Sequence, residues 1–113
     1  MKHKYRFPLT FQRLRKTNLK RNKKAFGMNL KTWSLAEWSN AVAGECGETC
    51  NITKKIRRGD KSLKKERKEL AKEIADIVVY CDLLAAAAGI DLEKAVIEKF
   101  NEVSDRKHCH IKL

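Results

Sequence analysis

The break RRGDKS, at residues 57–62, interrupts a long stretch of helical pattern. Before it, the segment SLAE has the form of a capping box, in which Ser34 and the glutamate three residues later each accept from the other's backbone N–H. After it, Ser62 is suited to begin a second helix, and a glycine follows Ala88. The pattern predicts two long helices, from Ser34 to about Arg58 and from Ser62 to about Ala88. Because their connection is short, they should lie antiparallel.

Shorter helices are predicted on both sides of this pair. Asp91 is a suitable N-cap for a helix that reaches about Arg106. Thr10 is a suitable start for a short N-terminal helix, and the stretch from residue 22 to residue 31 resembles a linker. One proline and five glycines leave little turn material for a β fold. We therefore expect an all-α protein, an antiparallel helical bundle.

The basic residues divide the chain. Residues 1–34 hold 11 of the 26 Lys and Arg and no acidic residue, whereas the remainder is nearly neutral. The chain therefore divides into a basic N-terminal arm with a short helix (1–33), a helical domain (34–107) and a C-terminal tail (108–113). Such an arm attracts polyanions such as nucleic acid, or it is a solvated segment.

The second long helix is apolar on most of its sides from Ile74 onward. One antiparallel partner cannot cover such a helix, so we expect a homodimer or homotetramer. The longest apolar run contains Asp76 and Asp82 and is too short to span a bilayer, so no membrane association is expected. The N-terminus lacks a secretory signal, and four cysteines without one indicate reduced thiols and a cytoplasmic protein. Their spacing, with the HCH segment, fits no standard zinc finger.

Carboxylates line one face of each long helix. On a helical wheel Glu45 and Glu48 share a narrow face of the first helix, in a stretch whose small residues should let another helix lie close. Glu73 and Asp76 share a similar stripe on the second helix, within the apolar segment EIADIVVY. If these carboxylates are half-buried, they repel one another and are costly to desolvate. The alternative is that they are solvated positions on amphipathic helices. A hard divalent cation such as Mg²⁺ relieves that repulsion.

The pairing of GECGETCN with EIAD resembles the E-x-x-E, spacer, E-x-x-D signature of the MazG-like all-α nucleoside triphosphate pyrophosphohydrolases. The segments FQRLRKTNLKR and KFNEVSDR are also similar to those of small single-domain proteins of this family. The resemblance covers about residues 11–106. It implies an all-α bundle completed by oligomerisation. It also implies Mg²⁺-dependent cleavage of an NTP or dNTP, with Mn²⁺ as an alternative ion, to a monophosphate and pyrophosphate.

The same resemblance implies roles for individual residues. Glu45, Glu48, Glu73 and Asp76 would hold one or two metal ions, and one of them would act as general base. The candidates for contacts to the nucleotide are Trp38, Asn51, Lys55, Tyr80, Lys99, Asn101, Arg106 and Arg21. Trp38 and Tyr80 would line a base pocket or belong to the core. The alternative class is a basic helical nucleic-acid-binding module whose acidic cluster is not catalytic.

Overall fold

The computed structural model describes residues 5–113, in which all regular structure is helical. Helix α1 spans Phe11–Phe26, α2 spans Leu35–Arg58, α3 spans Leu63–Ala87 and α4 spans Leu92–Arg106. The all-α prediction is confirmed. None of these helices is both long and apolar enough to cross a membrane.

Local capping chemistry sets the helix boundaries. The side chains of the four predicted N-caps accept a backbone N–H from the first turn: Thr10, Ser34, Ser62 and Asp91. Ser34 and Glu37 form the complete capping box, and Gly59 ends α2 in the left-handed conformation. The predicted limits of α2, α3 and α4 are therefore confirmed to within a residue or two.

The predicted linker from residue 22 to residue 31 is wrong in its first half, because α1 continues to Phe26. No proline or glycine occurs from Phe11 to Phe26, and Gly27 then takes a left-handed φ of 62°. Its N–H and that of Met28 then satisfy carbonyl groups of the last turn. The connection between α1 and α2 is therefore shorter than predicted.

Helix α3 is the centre of the fold. Helix α2 packs along it as an antiparallel hairpin, while α1 and α4 pack against α3 and against each other. Within residues 5–113, no Cα atom of α2 lies within 8 Å of α1 or α4. The helices therefore form an open layer, in which α2 is covered on one side by α3.

Polar contacts attach α1 to α3. Asp82 is 1% exposed, and its carboxylate accepts from Arg15 Nε at 2.9 Å and from Asn18 Nδ2 at 3.2 Å. Asn18 also donates to the carbonyl oxygen of Val79 at 3.0 Å. One turn later, Asn22 is buried, but the Nδ2 atom of its side chain has no hydrogen-bond partner in the described chain. The basic N-terminal helix is thus held against the layer by a buried carboxylate.

These two asparagines should respond oppositely to replacement by leucine. Asn22→Leu removes an unpaired buried donor and should raise the free energy of unfolding by about 1 kcal/mol. Asn18→Leu removes two hydrogen bonds and should lower it by about 1–3 kcal/mol. Urea denaturation of both variants tests this, since each is the control for the other. Equal shifts in one direction would show that leucine packing dominates at both positions.

The core of the single chain is sparse. The apolar residues buried within the described chain are Trp38, Leu83 and Ala85. The radius of gyration is 16.8 Å, against about 13 Å for a compact domain of this length. The accessible surface is 9323 Å², against about 6,300 Å² for a compact protein of this mass. Ile74 and Val78 of α3 are almost half exposed.

The expected role of the glycines in α2 is not found within the chain. A Cβ atom added to Gly44 or Gly47 would meet no atom within 4 Å. The prediction that these glycines let another helix of the chain lie close is therefore wrong, because α3 packs on a different side of α2. Along the side that faces α3, half-buried or buried residues recur at helical spacing: Trp38, Val42, Glu45, Thr49, Ile52 and Ile56.

Candidate metal centre

Three carboxylates from two helices meet in the groove between α2 and α3. Glu45 comes from α2, and Glu73 and Asp76 come from successive turns of α3. One carboxylate oxygen of each residue lies within 4.8 Å of the other two. Glu45 and Glu73 are half-buried, whereas Asp76 is exposed. The antiparallel hairpin thus brings together residues that are about 30 positions apart in the sequence.

The carboxylates in this groove repel one another. A hydrogen bond with the Glu73 carboxyl is the main reason why the pKa of Glu45 is raised above its ordinary value. Desolvation raises this pKa further, as do the charges of Asp76, Glu73 and Glu48. In the described residues no Lys or Arg forms an ion pair with any of these four carboxylates. The negative charge of the groove is therefore not paired with a basic side chain, although the charge of the neighbouring Lys72 reaches Glu73.

The donor set fits a hard divalent cation. All three groups offer carboxylate oxygens, which Mg²⁺ and Mn²⁺ accept as ligands. No sulfur or imidazole group takes part, and no Cys or His of the described chain belongs to a cluster of three metal-binding side chains. The exposed Asp76 leaves one side of the group open to solvent, where water and phosphate oxygens can approach.

Glu48 lies at the edge of this group. It is exposed, and it is not among the three residues whose oxygens come together. Its charge is still close enough to raise the pKa of Glu45. The structure therefore assembles three of the four expected carboxylates and places the fourth one turn along α2.

The two aromatic candidates have different surroundings. Trp38 is 1% exposed, its ring centroid lies 4.6 Å from that of Trp33, and its indole N–H donates to the Leu30 carbonyl oxygen at 3.3 Å. It has no open face for a nucleotide base, which favours the core interpretation. Tyr80 is half-buried on α3, one turn beyond Asp76. Tyr80 is the aromatic candidate that remains accessible beside the carboxylates.

The polar candidates on α2 lie farther along the helix. Asn51 is exposed and Lys55 is half-buried. Lys55 is seven residues beyond Glu48, or about 10 Å along the helix axis. In the described chain Lys55 has no acidic partner within 4.0 Å. It is the candidate cation on the same helix as Glu45.

The candidates on α4 and α1 are not brought to α2 within one chain. Lys99 pairs with Glu102 at 2.7 Å, and Arg106 is exposed near the end of α4. The Asn101 amide donates to the Leu113 carbonyl oxygen and accepts from the Leu113 N–H, so both its polar atoms hold the C-terminal tail. Arg21 is exposed on α1. Because no Cα atom of α1 or α4 lies within 8 Å of α2 in the described residues, these candidates are not assembled with the Glu45 helix.

The buried contact of Asp82 with Arg15 and Asn18 was not anticipated from the sequence. The available signal was the polar spacing of Arg15, Asn18 and Asn22, which places three polar side chains on one face of α1.

No family model, curated protein or solved structure matches this chain. The interpretation of the site therefore depends on its own geometry and chemistry.

Proposed function

We propose that this chain is a Mg²⁺-dependent nucleoside triphosphate pyrophosphohydrolase of the MazG-like type. It would cleave an NTP or dNTP between the α and β phosphates, giving a monophosphate and pyrophosphate. The observation that carries the proposal is the group formed by Glu45, Glu73 and Asp76, none of which forms an ion pair within residues 5–113. The sequence signature around the same residues supports it. The biological role of this reaction would be to control the nucleotide pool in the cytoplasm.

The carboxylates of α2 and α3 have separable tasks in this proposal. Glu45 and Glu73, which are half-buried, would hold the ion, and Asp76 would hold it from the open side of the groove. When bound, Mg²⁺ or Mn²⁺ supplies positive charge to the phosphate oxygens and acidifies a water molecule. Glu48 is exposed beside the group, where it can hold a second ion or accept a proton from water.

The nucleotide would lie along the open side of the α2–α3 groove. Lys55 is the best-placed cation for the phosphates, because it is on α2 and has no acidic partner. Tyr80 is suited to contact the base, since its ring is only half-buried. Contacts from Lys99, Asn101, Arg106 or Arg21 would need a different arrangement of α4 or α1, or a second chain.

The proposal includes assembly of the chain into a homodimer or homotetramer. Ile74 and Val78 are 48% and 46% exposed, and on the α3 wheel each lies about 160° from Asp76. A second copy can therefore cover this stripe without covering the exposed carboxylate. The sparse core and the excess accessible surface support an assembly in which such stripes are buried.

A panel of canonical and modified NTPs and dNTPs, assayed with Mg²⁺, tests the proposed reaction. We expect pyrophosphate and a nucleoside monophosphate in equal amounts from at least one member of the panel, and none when EDTA removes the metal. Release of orthophosphate with a nucleoside diphosphate would contradict cleavage between the α and β phosphates. Failure to convert any nucleotide would favour the alternative of a non-catalytic acidic cluster.

A further inference from the structure

Four lysines lie together on the outward side of α1. Lys16, Lys20, Lys23 and Lys24 are all exposed, and on a helical wheel they fall within about 100° of one another. This arc, the α1 lysine face, lies opposite the buried Asn18 and Asn22. The polar contacts of α1 with α3 therefore determine which way the lysines point.

These charges are not neutralised locally. Within residues 5–113, none of the four lysines forms an ion pair, and α1 contains no acidic residue. The lysine-rich start of α3 differs, because the acidic residues Glu66 and Glu69 lie among its lysines. The α1 lysine face is thus a concentrated positive surface on a firmly attached helix.

We propose that the α1 lysine face binds the phosphate backbone of double-stranded nucleic acid without sequence preference. Residues 16–24 extend about 12 Å along the helix, enough to reach three or four phosphates of a duplex. Between residues 16 and 24 this face contains no Asn, Gln, Arg or aromatic side chain. Arg13 points the same way one turn earlier, but its guanidinium donates to the carbonyl oxygens of Arg6 and Pro8. The contacts of the face therefore go to phosphates. On the α3 wheel Glu73 and Asp76 lie about 180° and 120° from Asp82, the residue that α1 covers, so the carboxylate groove is directed away from α1.

A membrane surface fits this helix less well. A helix that lies in the bilayer interface directs an apolar face at the lipid and a basic face at water. The outward side of α1 has no apolar stripe, since the side opposite the lysines is already occupied by α3. Vesicles of phosphatidylserine and phosphatidylcholine therefore serve as the competing probe.

The test compares two triple variants with equal loss of charge. Lys16→Gln, Lys20→Gln and Lys23→Gln alter the α1 lysine face, while Lys64→Gln, Lys65→Gln and Lys68→Gln form the control on the exposed start of α3. Glutamine preserves helix propensity. Fluorescence anisotropy would follow two unrelated 20-base-pair duplexes over a series of salt concentrations, and circular dichroism would check that both variants are folded.

We expect the wild type and the control to bind both duplexes alike, with log K falling against log salt at a slope of about −3 to −4. The α1 variant should bind at least about tenfold more weakly at 50 mM salt, with a shallower slope. Equal weakening in both variants, no binding by the wild type, or binding to vesicles in place of duplex would each overturn the proposal. Asp76→Asn should leave duplex binding unchanged, which separates this property from the proposed hydrolysis.

Discussion

Glu45→Gln is expected to lower the rate of pyrophosphate release by at least about a hundredfold, because it removes one of the three proposed oxygen ligands. Loss of a group that merely supports a metal ligand already costs about 10- to 100-fold. Turnover should be measured at saturating Mg²⁺, so that weakened ion binding and lost catalysis are not confused. Near-normal turnover of this variant would mean that Glu45 has no part in the reaction.

The same substitution should raise the melting temperature of the metal-free protein at pH 7.5. The pKa of Glu45 is raised in the folded state, mainly by its hydrogen bond with Glu73. The protonated form therefore stabilises the fold fully below the ordinary Glu pKa of about 4.3, and this contribution is lost as the pH rises through the raised value. Since Gln resembles the protonated form, the gain should appear at pH 7.5 in EDTA and vanish near pH 4.

Glu69→Gln is the matched control for both measurements. Glu69 lies one turn before Glu73 on α3, is exposed, and pairs with Lys72 at 2.9 Å. Its pKa is lowered by the hydrogen bond from Lys72, the opposite direction to Glu45. We expect this variant to retain turnover and to show no gain in melting temperature at pH 7.5. Equal losses of turnover in both variants would assign the effect to the general charge of the α2–α3 hairpin.

A double substitution, Ile74→Glu with Val78→Glu, is expected to convert the proposed assembly to monomers. Both side chains are nearly half exposed in the single chain, and charged groups at their positions would have to be buried without partners in an interface. Light scattering at micromolar concentration should give a multiple of 13.0 kDa for the wild type. The variant should give the mass of one chain.

The control for assembly is Lys64→Gln with Lys68→Gln. It changes the net charge by the same amount on the same helix, at exposed positions outside the apolar stripe. This variant should keep the mass of the wild type. A wild-type mass of one chain would contradict the assembly, and would mean that the exposed stripe of α3 is tolerated in solution.

Capping residues made the helical pattern predictable, because their effect is local. The Ser34 capping box, the Ser62 N-cap and the turn at Gly59 lie within a few residues of the boundaries that they set. The end of α1 differs from the prediction because a non-local contact is involved. Polar residues such as Asn22 look like linker, yet this one lies buried against α3, and no local signal reveals that contact.

The carboxylate site was predictable in part. Helical periodicity gives the face on which Glu45 or Glu73 lies, but it does not give the axial alignment of two packed helices. That alignment brings Glu45 level with Glu73 and Asp76 and leaves Glu48 at the exposed edge. The directions of α1 and α4 depend on tertiary contacts such as that between Arg15 and Asp82, which a single-helix pattern does not contain.

Binding of Mn²⁺, followed by the electron paramagnetic resonance signal of the free ion, tests the central claim most directly. Mn²⁺ accepts the same oxygen ligands as Mg²⁺ and can be counted without substrate. We expect saturable binding of one or two ions per chain to the wild type and to Glu69→Gln, and loss of that binding in Glu45→Gln and Glu73→Gln. If Glu45→Gln and Glu73→Gln both bound Mn²⁺ as the wild type does, this would contradict the assignment of the α2–α3 groove as a metal centre.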